Sequence, residues 1–204
     1  MFRIRRRLKE NKALFIAGYF LIIQILIIFR NVYASDYFAF FYICDFAPML
    51  IAYGFWRKNY QLIKGAISLG LLGQMMFFVN LILAQTTGIT FLDISYLFNY
   101  SLFFRFATLL VHLTLLIALI LNYEVRPERK SLWYSMGFIV AVYILSLLFT
   151  PQSSNINFVH SFLLIVGPSV YYTAAWPFVT FLALVLPTYY LQLKLYELHD
   201  RKRS

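Results

Sequence analysis

Apolar residues run through this chain in long blocks, interrupted by short polar stretches. A helix that crosses the hydrocarbon of a bilayer needs about 20 predominantly apolar residues. Six blocks approach that length, at 13–30, 37–56, 62–84, 101–121, 132–149 and 173–193. Two stretches break the rhythm. Residues 85–100 (QTTGITFLDISYLFNY) are apolar with polar punctuation, and residues 151–172 (PQSSNINFVHSFLLIVGPSVYY) contain only the short apolar piece FLLIVG. Irregular backbone at membrane depth must be buried in protein or line a wet cavity, so both stretches predict re-entrant or interfacial segments. A seventh span over 156–168 would be short. The pattern therefore predicts an all-α, polytopic membrane protein with about six transmembrane helices. A basic segment at 1–12 precedes a single helical domain at 13–193, and a basic tail follows at 194–204. Neither an internal repeat nor a low-complexity linker divides the chain.

Composition agrees with that pattern. Of 204 residues, 62% are hydrophobic and 13% charged, with 22 Phe and 16 Tyr, whereas about half of a soluble domain is apolar. Mean hydropathy is +0.73. The basic start RIRRRLKENK followed by an apolar run has the form of a signal peptide. The run is too long for one, however, and continues to Arg30 without a small-residue cleavage site, which predicts an uncleaved first span.

The formal charge of +10 is informative through its location. Arg3, Arg5, Arg6, Arg7, Lys9, Lys12, Arg57, Lys58, Lys64, Arg126, Arg129, Lys130, Lys194, Arg201, Lys202 and Arg203 all fall on one predicted side, which makes 16 of the 18 basic residues. Arg30 lies on the other side and Arg105 within a span. The positive-inside rule then places both termini in the cytoplasm and requires an even number of spans. A crossing at 156–168 would carry the basic C-terminal tail outside, which favours six spans over seven. Basic ends of this kind face anionic phospholipid headgroups. Nucleic acid is not an expected partner, because no finger, helix-turn-helix or glycine-loop signature accompanies the charge. A homo-oligomer or a membrane-protein partner stays open.

Ionisable and amide side chains inside a bilayer are expensive, and they mark functional candidates or interior pairs. The short set here is Cys44 and Asp45 in span two, Gln74 and Asn80 in span three, and Arg105 and His112 in span four. Spans two and four run in the same direction. At 1.5 Å per residue, Asp45 lies about 12 Å and Arg105 about 6 Å from their outer ends, a gap an arginine can bridge. Cys44 and His112 lie about 10 Å and 16 Å in by the same count. Arg105 and His112 are seven residues apart and share a helical face.

These residues admit two kinds of role. Cys44 is either a small buried hydrophobe or a nucleophile whose proton His112 accepts. Asp45 and Arg105 form either a structural ion pair or a headgroup site. Gln74 and Asn80 suit interhelical hydrogen bonds, and Gly65, Gly70 and Gly73 suit close helix packing. Pro48 lies four residues after Cys44 and removes the helical donor for the Cys44 carbonyl. One cysteine excludes an internal disulfide. His112, His160 and His199 lack metal-ligand spacing, and no phosphate loop, hydrolase elbow or zincin box occurs, so neither a metal nor a cofactor is expected.

The order of features resembles the YwaF-like integral membrane proteins of bacteria. The carriers are CDFAPMLIAYGFWRKN (44–59), the intramembrane His112, the pair Arg126–Pro127, SNINF (154–158) and GPSVYY (167–172). The likeness runs from about residue 38 to 193. It implies a bacterial cytoplasmic membrane protein. Animal relatives include an acyltransferase that remodels ether phospholipids with a Cys and a His. Carried over, Cys44 is the nucleophile and His112 the base. Asn155, Asn157, Gly167, Pro168, Tyr171 and Tyr172 form the motif on the outer side. The chain differs from the family pattern at Tyr42, Phe158, Ser169 and Val170. A thiol-dependent phospholipid acyltransferase, a transporter or its membrane subunit, and a non-catalytic scaffold remain the three functional readings.

Overall fold

A computed structural model describes residues 2–92, 94, 97, 100–161 and 167–201, with the side chains of 2–10 set aside. Among these residues the fold is all-α. Its helices are α1 (Phe2–Tyr33), α2 (Ile43–Trp56), α3 (Tyr60–Thr87), α4 (Leu102–Asn122), α5 (Arg129–Phe149) and α6 (Val170–Arg201). Five are long and apolar enough to cross a membrane, with α1 counted from Asn11. The sixth, α2, has 14 residues and rises only about 21 Å, short of the roughly 30 Å of hydrocarbon. The sequence block at 37–56 is in fact two pieces. A 3-10 turn at Tyr37–Phe41 is followed by Tyr42 in extended conformation, and α2 starts only then.

Helix α3 occupies the centre. Gly65 lets α5 approach so closely that a Cβ there would stand 2.7 Å from the Ser131 carbonyl oxygen and from Tyr134 Cβ. The Ser135 hydroxyl uses that approach to donate to the Gly65 carbonyl at 2.9 Å. Gly73, by contrast, has nothing within 4 Å and makes no such contact. Gln74 joins α3 to α4 as an interhelical clamp. Its amide donates to the Val111 carbonyl at 3.0 Å and accepts from the Leu115 N–H at 3.0 Å. With both ends of its amide bonded, the glutamine is satisfied where it is buried.

Asn80 does not bridge two long helices. After α3 ends at Gly88, with φ +72°, the chain turns back. Asn80 receives the N–H groups of Phe91 and Leu92 and donates to the Leu92 carbonyl. Ile94 and Leu97 are buried with Phe77 in a small cluster. The expected re-entrant character of 85–100 falls partly on residues 93, 95, 96, 98 and 99, outside the described set. The short seventh span likewise falls partly on 162–166, outside the described residues; 152–154 and 156–158 are 3-10 turns.

The main core joins α1, α2, α3 and α4 through Phe20, Ile27, Ile51, Ile63, Ile67, Val111 and Leu115. A second core gathers Leu69, Ile139, Val142, Val159, Trp176 and Val185. Many outward side chains are large and apolar, such as Phe15, Ile22, Phe29, Leu148 and Leu182, as expected of helices whose outer solvent is lipid. Helix α6 contains a π segment at Phe181–Val185. Beyond it, Gln192 donates to the Lys64 carbonyl and to Ser68. Lys64, counted in the sequence among the basic residues at the membrane surface, is fully buried beside this contact.

Candidate functional site

The short connection between α1 and α2 makes these helices a hairpin, so the end of α1 faces the start of α2. Arg30 therefore lies inside the bundle with a side-chain exposure of 8%, opposite Asp45 with 2%. One guanidinium serves several acceptors. It pairs with Asp45 Oδ2, donates to Asn31 Oδ1 through Nε (2.9 Å) and Nη2 (2.7 Å), and reaches Thr108 Oγ1 at 3.5 Å. Asn31 returns a bond from its amide to Asp45 Oδ2 at 2.8 Å. Above the guanidinium lies the Phe104 ring, 5.7 Å from its carbon to the centroid. A planar fork that is always charged suits a buried, multiply bonded carboxylate better than an ammonium would.

Asp45 is thus paired with Arg30, and the expected partnership with Arg105 is replaced. Arg105 is exposed and donates from Nε to the Tyr100 carbonyl at 3.2 Å. The depth count misled because it compared two helices running the same way. The hairpin partner, α1, ends next to Asp45 by connectivity alone.

Cys44 is half-buried against the main core, and its sulfur donates to Asp45 Oδ1 at 3.6 Å. Both carboxylate oxygens are therefore used: Oδ1 by the thiol, Oδ2 by Arg30 and Asn31. His112 stacks on Phe77 at 3.7 Å between centroids and 17° between planes. Its Nδ1–H donates to the Thr108 carbonyl at 2.8 Å. No hydrogen bond joins Cys44 to His112. Cys44 connects through Asp45 and Arg30 to the Thr108 hydroxyl, whereas His112 bonds the Thr108 main-chain carbonyl, so the two meet at one residue through different atoms.

The SNINF segment holds this centre from a distance in sequence. Asn157 accepts the Ile43 N–H at 2.9 Å and donates to the Phe41 carbonyl at 2.7 Å. Helix α2 has no local side-chain cap, so a residue 114 positions away satisfies one of its orphan N–H groups. Trp176 in turn donates from Nε1 to the Asn157 carbonyl at 3.1 Å and stacks on Tyr143. Asn155 closes its own loop, accepting the N–H groups of His160 and Ser161 and donating to Ser161. Gly167, Pro168 and Tyr171 are exposed, and Tyr172 packs partly against the second core. None of these four has a hydrogen bond to the Cys44 centre.

Sequence reasoning missed Arg30, Asn31 and Thr108. The available signal was the length of the first apolar run, since a helix continued to Tyr33 brings Arg30 within the span instead of beyond it. Among the described residues, no group of three His, Cys, Asp or Glu side chains could hold a metal ion.

Fold and site together define a polytopic α-helical membrane protein with a buried charged network in the half of the bundle away from the basic chain ends. The chain matches no family model, no curated protein and no solved structure.

Proposed function

We propose that this is a YwaF-like protein of a bacterial cytoplasmic membrane, with both termini cytoplasmic and its Cys44 centre in the outer half, and that it transfers acyl chains between phospholipids through Cys44. The observation that carries this reading is the arrangement Cys44–Asp45–Arg30/Asn31. Thiol and proton acceptor lie within hydrogen-bond reach, and the acceptor is oriented by further groups. Asp45 takes the position next to the thiol that the sequence assigned to His112.

The chemistry runs in two balanced halves. Asp45 accepts the Cys44 proton as sulfur attacks the ester carbonyl of a phospholipid. A C–S bond forms, the C–O bond breaks, and the proton passes to the departing lysophospholipid oxygen. In the second half a different lysophospholipid hydroxyl attacks the thioester, and sulfur regains a proton. Asp45 takes the proton of that hydroxyl and returns it to sulfur as the new C–O bond forms and the C–S bond breaks.

The test is acyl exchange in vesicles containing the purified protein, a phospholipid donor and an isotopically labelled lysophospholipid acceptor. Wild type is expected to produce labelled diacyl lipid. Cys44→Ala is expected to reduce the rate to background while remaining folded, since it deletes one thiol hydrogen bond. Equal rates for the two proteins would refute the acyl-transfer reading.

A transport role has one observation in its favour, the break at Tyr42 between the 3-10 turn and α2. Interrupted spans near polar residues are typical of transport sites. Gradient-driven uptake that is lost in Asp45→Asn but kept in Cys44→Ala would select that reading.

A further inference from the structure

Three non-glycine residues in one short stretch hold left-handed backbone: Asn155 at φ 41°, Asn157 at φ 54° and Phe158 at φ 59°. Asparagine visits this region at modest cost, whereas a bulky residue such as phenylalanine seldom does. Such a segment persists where its surroundings over-determine it, and strain of this kind gathers at functional sites. Here Asn157 ties the segment to the bundle in two directions.

Its side chain reaches the break before α2. One amide spans that break, accepting the Ile43 N–H at 2.9 Å and donating to the Phe41 carbonyl at 2.7 Å. Tyr42, between those two residues, is extended at φ −67° and ψ 137°. Cys44 follows Ile43 directly, so the place of the Asn157 amide sets the first turn of α2 and with it the thiol beside Asp45.

Its main chain reaches α6. The Trp176 Nε1–H donates to the Asn157 carbonyl at 3.1 Å. The indole is 3% exposed and belongs to the second core with Ile139 and Val142. It stacks on Tyr143 of α5, with centroids 6.0 Å apart and 12° between planes. A buried indole needs a partner for its N–H, and that partner is the carbonyl of a left-handed residue. The apolar body of Trp176 is thus fixed by two helices, and its one polar atom fixes Asn157.

We infer that Trp176 is a positioning residue for Cys44: through the Asn157 carbonyl, α6 sets the start of α2 and the orientation of the thiol toward Asp45. The effect on kcat rests on acyl transfer through Cys44, whereas the effect on exposure of the thiol depends on no reaction.

The test compares full-length wild type with Trp176→Phe, which keeps an aromatic ring in the second core and deletes the donor. Ile139→Val trims the same core and removes no hydrogen bond. In vesicles, the single cysteine is titrated with a membrane-permeant thiol reagent. Trp176→Phe is expected to raise the modification rate about fivefold, the population shift that one lost hydrogen bond produces, while Ile139→Val keeps the wild-type rate. In acyl exchange, Trp176→Phe is expected to lower kcat about tenfold with KM for the phospholipid donor unchanged, because a misplaced nucleophile costs chemistry and not substrate binding. A wild-type modification rate in Trp176→Phe, or an equal rise in both variants, overturns the inference. So does an unchanged kcat in Trp176→Phe where wild type is active. A rise confined to Trp176→Phe, with wild type inactive in acyl exchange, upholds the positioning of Cys44 and refutes acyl transfer.

Discussion

Arg30→Ala is expected to destabilise the protein by about 3–5 kcal/mol, the usual consequence of removing one partner from a buried ion pair. Asp45 would remain almost fully buried with Asn31 as its amide donor, and Asn31 and Thr108 would each lose a guanidinium donor. Arg30→Lys is expected to recover only part of the loss. An ammonium cannot reproduce the planar fork that reaches Asn31, Asp45 and Thr108 together. The paired variant Arg30→Met/Asp45→Leu is expected to be less damaging than the sum of the single changes, because residues in one network couple strongly. Unfolding in detergent, followed as a function of temperature or denaturant, measures each effect. A loss in Arg30→Ala below about 1 kcal/mol, the range of an exposed ion pair, would mean that the network does not hold α1, α2 and α4 together.

Asn157→Ala is the second large change, with an expected cost of about 2–4 kcal/mol. It strands the Ile43 N–H and the Phe41 carbonyl, at about 1–3 kcal/mol for a buried polar group left unmade. It also places alanine at φ 54°, a left-handed conformation that costs a non-glycine residue about 1–2 kcal/mol. Asn157→Gly loses the same two bonds but removes the backbone cost, so its destabilisation is expected to be smaller. A local consequence is measurable as well. Cys44 is the chain's single cysteine, so the rate of modification by a membrane-permeant thiol reagent reports on the start of α2 alone. That rate is expected to rise in Asn157→Ala, and an unchanged rate would separate Asn157 from the positioning of Cys44.

These two residues also show what the sequence could convey. Five of the helices were legible because hydrocarbon thickness sets their length, whereas α2 fills only part of its apolar block. Cys44 and Asp45 were visible as polar groups in an apolar run, and SNINF as a polar motif outside one. The partners of these groups were less legible. Arg30 looked like a loop residue because the apolar run stops there, while the helix itself continues to Tyr33. Arg105 matched Asp45 in depth, but depth does not specify which helices touch. Asn80 looked like a contact between helices and instead binds the returning backbone at Phe91 and Leu92. Lys64 looked like a surface cation because it follows a basic turn, yet α3 has already entered the bundle at that point. In each case the missing information was a contact between segments, which hydropathy along one chain does not encode.

The most direct test of acyl transfer through Cys44 is a search for the covalent intermediate. Wild-type protein incubated with a phospholipid donor and no acceptor is expected to carry one acyl chain on the Cys44 peptide by mass spectrometry. Neutral hydroxylamine should release it, as expected of a thioester, and added lysophospholipid should discharge it to diacyl lipid. A Cys44 peptide recovered only as the free thiol, from protein that does form labelled diacyl lipid once labelled lysophospholipid is added, would contradict the account.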